Sequence, residues 1–138
     1  MKVFISYADS DREVAQRMTQ SLKADGLSVW SDEDEVFPGD NWAAKVAQGV
    51  EEADAIVALL TPEALHSRSV RSDINYALGK KALKDKLIPV WLSEEDVAQQ
   101  ESFPWILRHL QMIQLPNSEQ HEAGFKRIAE ALQAVPAA

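Results

Sequence analysis

Two rhythms alternate along the chain. Short, mostly apolar stretches at residues 2–7, 27–31, 55–60, 87–92 and 111–115 read as strands. Between them apolar positions recur at helical spacing: Val14, Met18 and Leu22; Trp42, Val46 and Val50; Val70, Ile74, Ala77 and Leu78; Phe125, Ile128, Ala129 and Leu132. The stretch 55–60 contains no polar residue, which predicts a central strand covered on both faces. Punctuation agrees with these elements. Ser10 and Glu13 fit a capping box that opens the first helix, and Gly26 stands where a helix C′ residue is expected. Pro38-Gly39 interrupts an acidic loop at 32–40, and Asp40 or Asn41 is placed to cap the second helix. Thr61-Pro62 ends the third strand, and Gly79 closes the third helix. Pro89 removes a ladder donor from the fourth strand, which puts that strand near an edge or delays its start. Residues 94–100 suggest one short helix.

Alternating strands and helices predict parallel strands joined by right-handed crossovers. Five such strands give an α/β fold: a flavodoxin-like parallel sheet of order 2-1-3-4-5, with helices on both faces. Ligands in such sheets bind beyond the carboxyl ends, where strands 1 and 3 diverge. That rule selects Ser6, Tyr7 and Ala8 after strand 1, Asp32 after strand 2 and Thr61 after strand 3. A length of 138 residues makes one domain, here bounded at 1–134. Residues 135–138 form a stub, either the start of a linker to a further domain or a natural end.

Charge narrows the function. The formal net charge is −8 and the pI about 4.8, opposite to the basic field that nucleic acids or anionic membranes select. The absence of cysteine removes disulfides, thiol catalysis and cysteine-based zinc sites, and suits a reducing cytoplasm. No apolar run approaches the roughly 18 residues of a membrane span. The usual tenants of the fold leave no mark. There is no acidic pair after strand 1, no Gly-rich phosphate loop and no Gly-x-Ser-x-Gly elbow. The acidic run 32–35 lacks the glycine of a calcium loop, and His66, His109 and His121 show no ligand spacing, so no metal site is expected.

One family fits. Val3-Phe4-Ile5-Ser6-Tyr7, followed by Asp11, resembles the first box of a TIR (Toll/interleukin receptor) domain. Leu27-Ser28-Val29-Trp30-Ser31-Asp32, with Pro38-Gly39 and Trp42 after it, resembles that family's second strand and BB loop. Residues 55–62 are similar to the third-strand box, and 69–79 to the helix that follows it in bacterial members. Residues 87–90 and 103–107 complete the series. Each box alone is weak, but six in order are specific.

The resemblance implies two activities. TIR domains associate with one another through the BB loop, here Phe37, Pro38 and Gly39. Many bacterial members also cleave NAD+ at the nicotinamide–ribose bond, as hydrolases or cyclases, when a partner domain assembles them into filaments in anti-phage defence. NAD+ is then the substrate, and no cofactor is implied. The family's catalytic glutamate corresponds to Asp73, which is shorter by one C–C bond, roughly 1.5 Å. An aromatic that catalytic members often carry one turn earlier is replaced by Ser69. Ser6, Tyr7, Trp30, Asp32, Ser69 and Arg71 are the implied substrate contacts, with Arg12 and Arg68 as further donors for a pyrophosphate. Asp73 thus stands as a working carboxylate, as a vestige in a non-catalytic TIR scaffold, or as a plain helix-surface residue.

Overall fold

A computed structural model describes residues 2–30, 36–79, 87–101, 103, 107, 112–115 and 121–133. The strands are β1 (Lys2–Ser6), β2 (Ser28–Trp30), β3 (Ala55–Leu60), β4 (Leu87–Trp91) and β5 (Ile113–Gln114). The helices are α1 (Arg12–Ala24), α2 (Trp42–Glu52), α3 (Arg68–Gly79) and α4 (His121–Gln133). All strand pairs are parallel, and the order is β2-β1-β3-β4-β5, as expected for the flavodoxin-like sheet. Among the described residues no helix is long and apolar enough to cross a membrane.

Strand alternation divides the core in two. Val3, Ile5, Val57 and Leu59 face one way and pack with Met18 and Leu22 of α1 and Phe125 and Ile128 of α4. Phe4, Ile56 and Leu60 face the other way and pack with Val50 of α2 and with Val70 and Ile74 of α3. All six residues of β3 are buried, which accounts for its unbroken apolar run. Each such side chain contributes about 1.5–3 kcal/mol when withdrawn from water.

Local chemistry sets the boundaries. Gly26, at φ +89°, ends α1: its N–H donates to the Lys23 carbonyl and the Leu27 N–H donates to the Leu22 carbonyl. These are the two bonds of a Schellman cap. Asn41 caps α2, its side chain accepting from the Ala44 N–H at 3.2 Å. Asp40 instead accepts from the Phe37 N–H at 2.9 Å and closes the turn through Gly39, at φ +92°.

Four expectations need correction. Residues 9–11 form a single 3-10 turn, so α1 starts at Arg12, and no capping box forms from Ser10 and Glu13. Asp11 takes the cap position, but its carboxyl accepts from the Thr61 hydroxyl at 2.9 Å instead of the helix's own N–H groups. A tertiary partner at the end of β3 has displaced the local cap. The short helix expected at 94–100 is only a 3-10 turn at Val97–Gln99, held by Asp96. β1 stops at Ser6, which frees Tyr7 to turn into the loop. β5 is two residues long and pairs only with Val90 and Trp91. Pro89 therefore lies before that pairing begins, where a missing donor does least harm.

Candidate active site

The carboxyl end of β1 lies between β2 and β3, so its last residue faces the space where the crossovers diverge. Ser6 shares the face of Phe4, which is the face covered by α2 and α3. Helix α3 sits on that face through Val70, Ile74 and Ala77. Asp73 precedes Ile74 and stands at the flank of this buried stripe, turned toward the end of β1. The Ser6 hydroxyl, 2% exposed, donates to Asp73 Oδ2 at 2.7 Å. Burial pushes the Asp73 carboxyl up to about 6, against the lowering effect of the Ser6 bond.

Asp73 opens onto a cleft of about 110 Å³ lined by Phe4, Ser6, Tyr7, Arg12, Trp30, Trp42 and Ser69, among others. Its walls are largely aromatic. The Phe4 and Trp30 rings pack at 5.2 Å between centroids, and the Arg12 guanidinium lies 5.8 Å from the centre of the Tyr7 ring. Arg12 also reaches exposed Asp9 at 3.5 Å. Trp30 is wedged from behind by α2: a Cβ added at Gly49 would meet the indole at 2.7 Å. Gly49→Ala is therefore expected to displace Trp30 toward the cleft and to cost about 1–3 kcal/mol. Urea unfolding with tryptophan emission checks both effects.

The structure brings most of the sequence candidates together. Asp73, Ser6, Tyr7, Trp30 and Ser69 line one cleft. Ser6 occupies it differently than expected, because its hydroxyl is committed to Asp73. Arg71 does not line the cleft. It is exposed on α3, and two residues at about 100° each turn it away from the face of Asp73. Arg12 is the arginine present there. Asp32 lies outside the described residues. Phe37, 63% exposed, stands with Pro38 and Gly39 in the loop before α2 and does not line the cleft. Thr61 is occupied structurally, donating to Asp11 and accepting from the Ala64 N–H at 3.1 Å. Trp42 was read from its spacing as a core residue. It is 52% exposed and lines the cleft instead. The signal was its place immediately after the cap, where a helix face has only begun to be buried.

A family model described as TIR domain matches residues 3–129. The chain belongs to this TIR-domain family. A curated bacterial relative, named 2' cyclic ADP-D-ribose synthase BtTIR, from Bacteroides thetaiotaomicron, is 26% identical over 90 residues. That stretch is 64% of this chain and 31% of the relative, so this TIR domain spans about a third of that protein. The TIR domain of the Toll-related receptor TRR-2 from Hydra magnipapillata has the same fold, with a TM-score of 0.73 at 17% identity, covering 95% of this chain and 97% of that one. A metazoan TIR-STING receptor from C. gigas, solved with 2',3'-cGAMP, superposes with a TM-score of 0.71 at 22% identity. It covers 92% of this chain, which corresponds to 39% of that receptor.

Proposed function

We propose that this TIR domain cleaves the nicotinamide–ribose bond of NAD+ when copies of it assemble, with Asp73 as the catalytic carboxylate. The supporting observation is the half-buried Asp73 carboxyl, held by Ser6 at the mouth of an aromatic cleft. The name of the Bacteroides relative points to the same substrate class.

The chemistry follows from the charges. As the C1–N bond breaks, its electron pair goes to the pyridinium nitrogen, and nicotinamide leaves neutral. Positive charge develops on the ribose, and a fixed carboxylate beside it is worth more in a desolvated site than in water. Water, or a hydroxyl of the same dinucleotide, then attacks C1 and passes its proton to the Asp73 carboxylate, which returns it to solvent. Above about pH 6 Asp73 is ionised and ready for this role. The pyridine ring would lie against the cleft's aromatic wall, where Tyr7 and Trp30 supply surface that Ser69 does not.

Assembly is part of the proposal. Phe37 is a large apolar side chain held in the open by the turn that Asp40 closes, a suitable contact for another TIR domain. In a cell this fits a cytoplasmic bacterial signalling or anti-phage role. The alternative, a scaffold that only associates, keeps the Phe37 loop and discards the carboxylate chemistry. The test is nicotinamide release by the domain fused to an oligomerising carrier, compared with the dilute monomer. Release by the assembled form supports catalysis. Assembly with no release at any concentration leaves the scaffold.

Ser6 gives a second check. Its hydrogen bond favours the ionised form of Asp73, so Ser6→Ala should move the acid limb of the pH–rate profile upward from about 6. An unmoved limb would detach Ser6 from the titrating group.

A further inference from the structure

Two walls of the cleft come from different parts of the chain. The turn after β1 brings Tyr7, Asp9 and Arg12, and the first half of α3 brings Ser69 and Asp73. Behind these walls a second bond joins the same two segments. The Thr61 hydroxyl donates to Asp11 Oδ2 at 2.9 Å, across 50 residues of chain. Neither Thr61 nor Asp11 lines the cleft. Each is tied to its wall through the backbone. The Asp11 N–H donates to the Ala8 carbonyl at 2.8 Å and the Arg12 N–H to the Asp9 carbonyl, so residues 8–12 form one tight turn that ends in Arg12. On the other side, Thr61 Oγ1 accepts from the Ala64 N–H and the Thr61 carbonyl accepts from the Leu65 N–H, both at 3.1 Å. The chain then reaches Ser67, whose hydroxyl accepts from the Val70 N–H at 3.5 Å and pairs with the Ser69 hydroxyl at 3.2 Å.

We propose that Thr61 and Asp11 are a positioning pair that clamps these two walls together and sets the width of the cleft around Asp73. Its bearing on catalysis rests on the NAD+-cleaving reading above. Ala8 already packs in the same core cluster as Ala64, Leu65 and Val70. Apolar contact of that kind tolerates sliding, whereas a hydrogen bond fixes both a distance and an angle.

The way Asp11 is used supports this role. It occupies the cap position of α1, where an aspartate ordinarily accepts from its own helix, and it leaves those N–H groups to reach Thr61 instead. Burial, with the Glu63 charge nearby, pushes the Asp11 carboxyl up, so the carboxylate is held there against an electrostatic cost. A local cap has been given up for a bond between segments. The cleft it braces is small, about 110 Å³. Slackening by about 1 Å would admit water to Asp73 and shift it from the reacting bond, and a misplacement of that size can cost on the order of 10²-fold in rate.

Asp73 itself reports the width, because burial is what raises its carboxyl to about 6. Among the described residues, Tyr7, Asp9 and Arg12 are the other ionisable groups lining the cleft, and Ser6 holds Asp73 from β1. None of them is altered in the test. The carboxyl carbons of aspartate are labelled with 13C, the Asp73 signal is assigned by its loss in Asp73→Asn, and its shift is followed with pH. Thr61→Val removes the donor and keeps the branched shape. Asp11→Ala removes the acceptor and leaves the Thr61–Ala64 bond in place, which keeps the test open if Thr61→Val fails to fold. Each should lower the Asp73 midpoint from about 6 by about one unit, toward 3.8. Thr61→Ser and Asp11→Asn, which retain a donor and an acceptor, should hold it. Nicotinamide release by the assembled domain at pH 8 should fall about 10–10²-fold in the first two variants and persist in the other two. A midpoint unmoved in folded Asp11→Ala overturns the proposal, as does an equal shift in Thr61→Ser or Asp11→Asn. So does release by Asp11→Ala at the rate of an active wild type. If the midpoint shifts as expected and the wild type releases no nicotinamide, the cleavage reading fails and the clamp on the cleft stands.

Discussion

Asp73→Asn should lower NAD+ cleavage by the assembled domain at least about 10²–10³-fold, the loss typical of removing one electrostatic partner of a transition state. Asparagine has nearly the same shape and can still accept the Ser6 hydroxyl hydrogen bond at Oδ1. The change therefore removes the charge and leaves the geometry. Nicotinamide release at pH 8, where the wild-type carboxylate is fully ionised, is the measurement. Retained cleavage would mean that another group carries the chemistry. The carboxylate is a methylene shorter than the family's glutamate, and displacement of about 1 Å can cost on the order of 10² in rate. A slow wild-type enzyme is consistent with Asp73 as catalyst. A rate independent of Asp73 is not.

The same substitution should stabilise the fold. In the folded chain the Asp73 carboxyl is pushed from 3.8 to about 6 by burial. The folded state thus binds a proton more tightly than the unfolded one. An Asp raised in this way costs stability above its folded pKa, and the cost fades as pH falls toward the unfolded value. A shift of about two pKa units corresponds to roughly 3 kcal/mol, reduced by residual solvation to about 1–2 kcal/mol. Asp73→Asn is expected to raise stability by that amount at pH 8 and to lose the gain by about pH 3, below the unfolded value of 3.8, where aspartate is largely protonated in both states. Urea unfolding at the two pH values reads the difference. An equal effect at both would assign it to packing and not to a desolvated charge. Charges that weaken the fold at the edge of a cleft cluster at functional sites.

Much of the architecture was legible in the sequence because burial on both faces writes itself as unbroken apolar runs. Ala55–Leu60 is the clearest case, and Gly26 marked its helix end because only a left-handed residue closes a Schellman cap there. The position of Asp73 was available from the resemblance, since a helix of known register needs only one anchor. Side-chain partnerships were not legible. Ser6 was expected to meet substrate, but its register with Ala58 and its shared face with Phe4 aim it at α3, where Asp73 accepts its hydrogen bond. Ser10 and Glu13 satisfied the local pattern of a capping box, and the Thr61–Asp11 bond across 50 residues overrode it. Arg71 was close to Asp73 in sequence, yet helical rotation turned it outward, while Arg12 arrived from the far end of the first loop. Trp42 had the spacing of a core residue, but the helix had not yet turned its buried face inward.

The central claim is that the carboxylate held by Ser6 breaks the glycosidic bond of NAD+. Its most direct test is the rate of nicotinamide release per domain, at equal assembly and pH 8, for the wild type and Asp73→Asn side by side. The account predicts measurable release by the wild type and a loss of at least about 10²-fold in the variant, with assembly intact and the fold no less stable. Equal rates in the two proteins would contradict it.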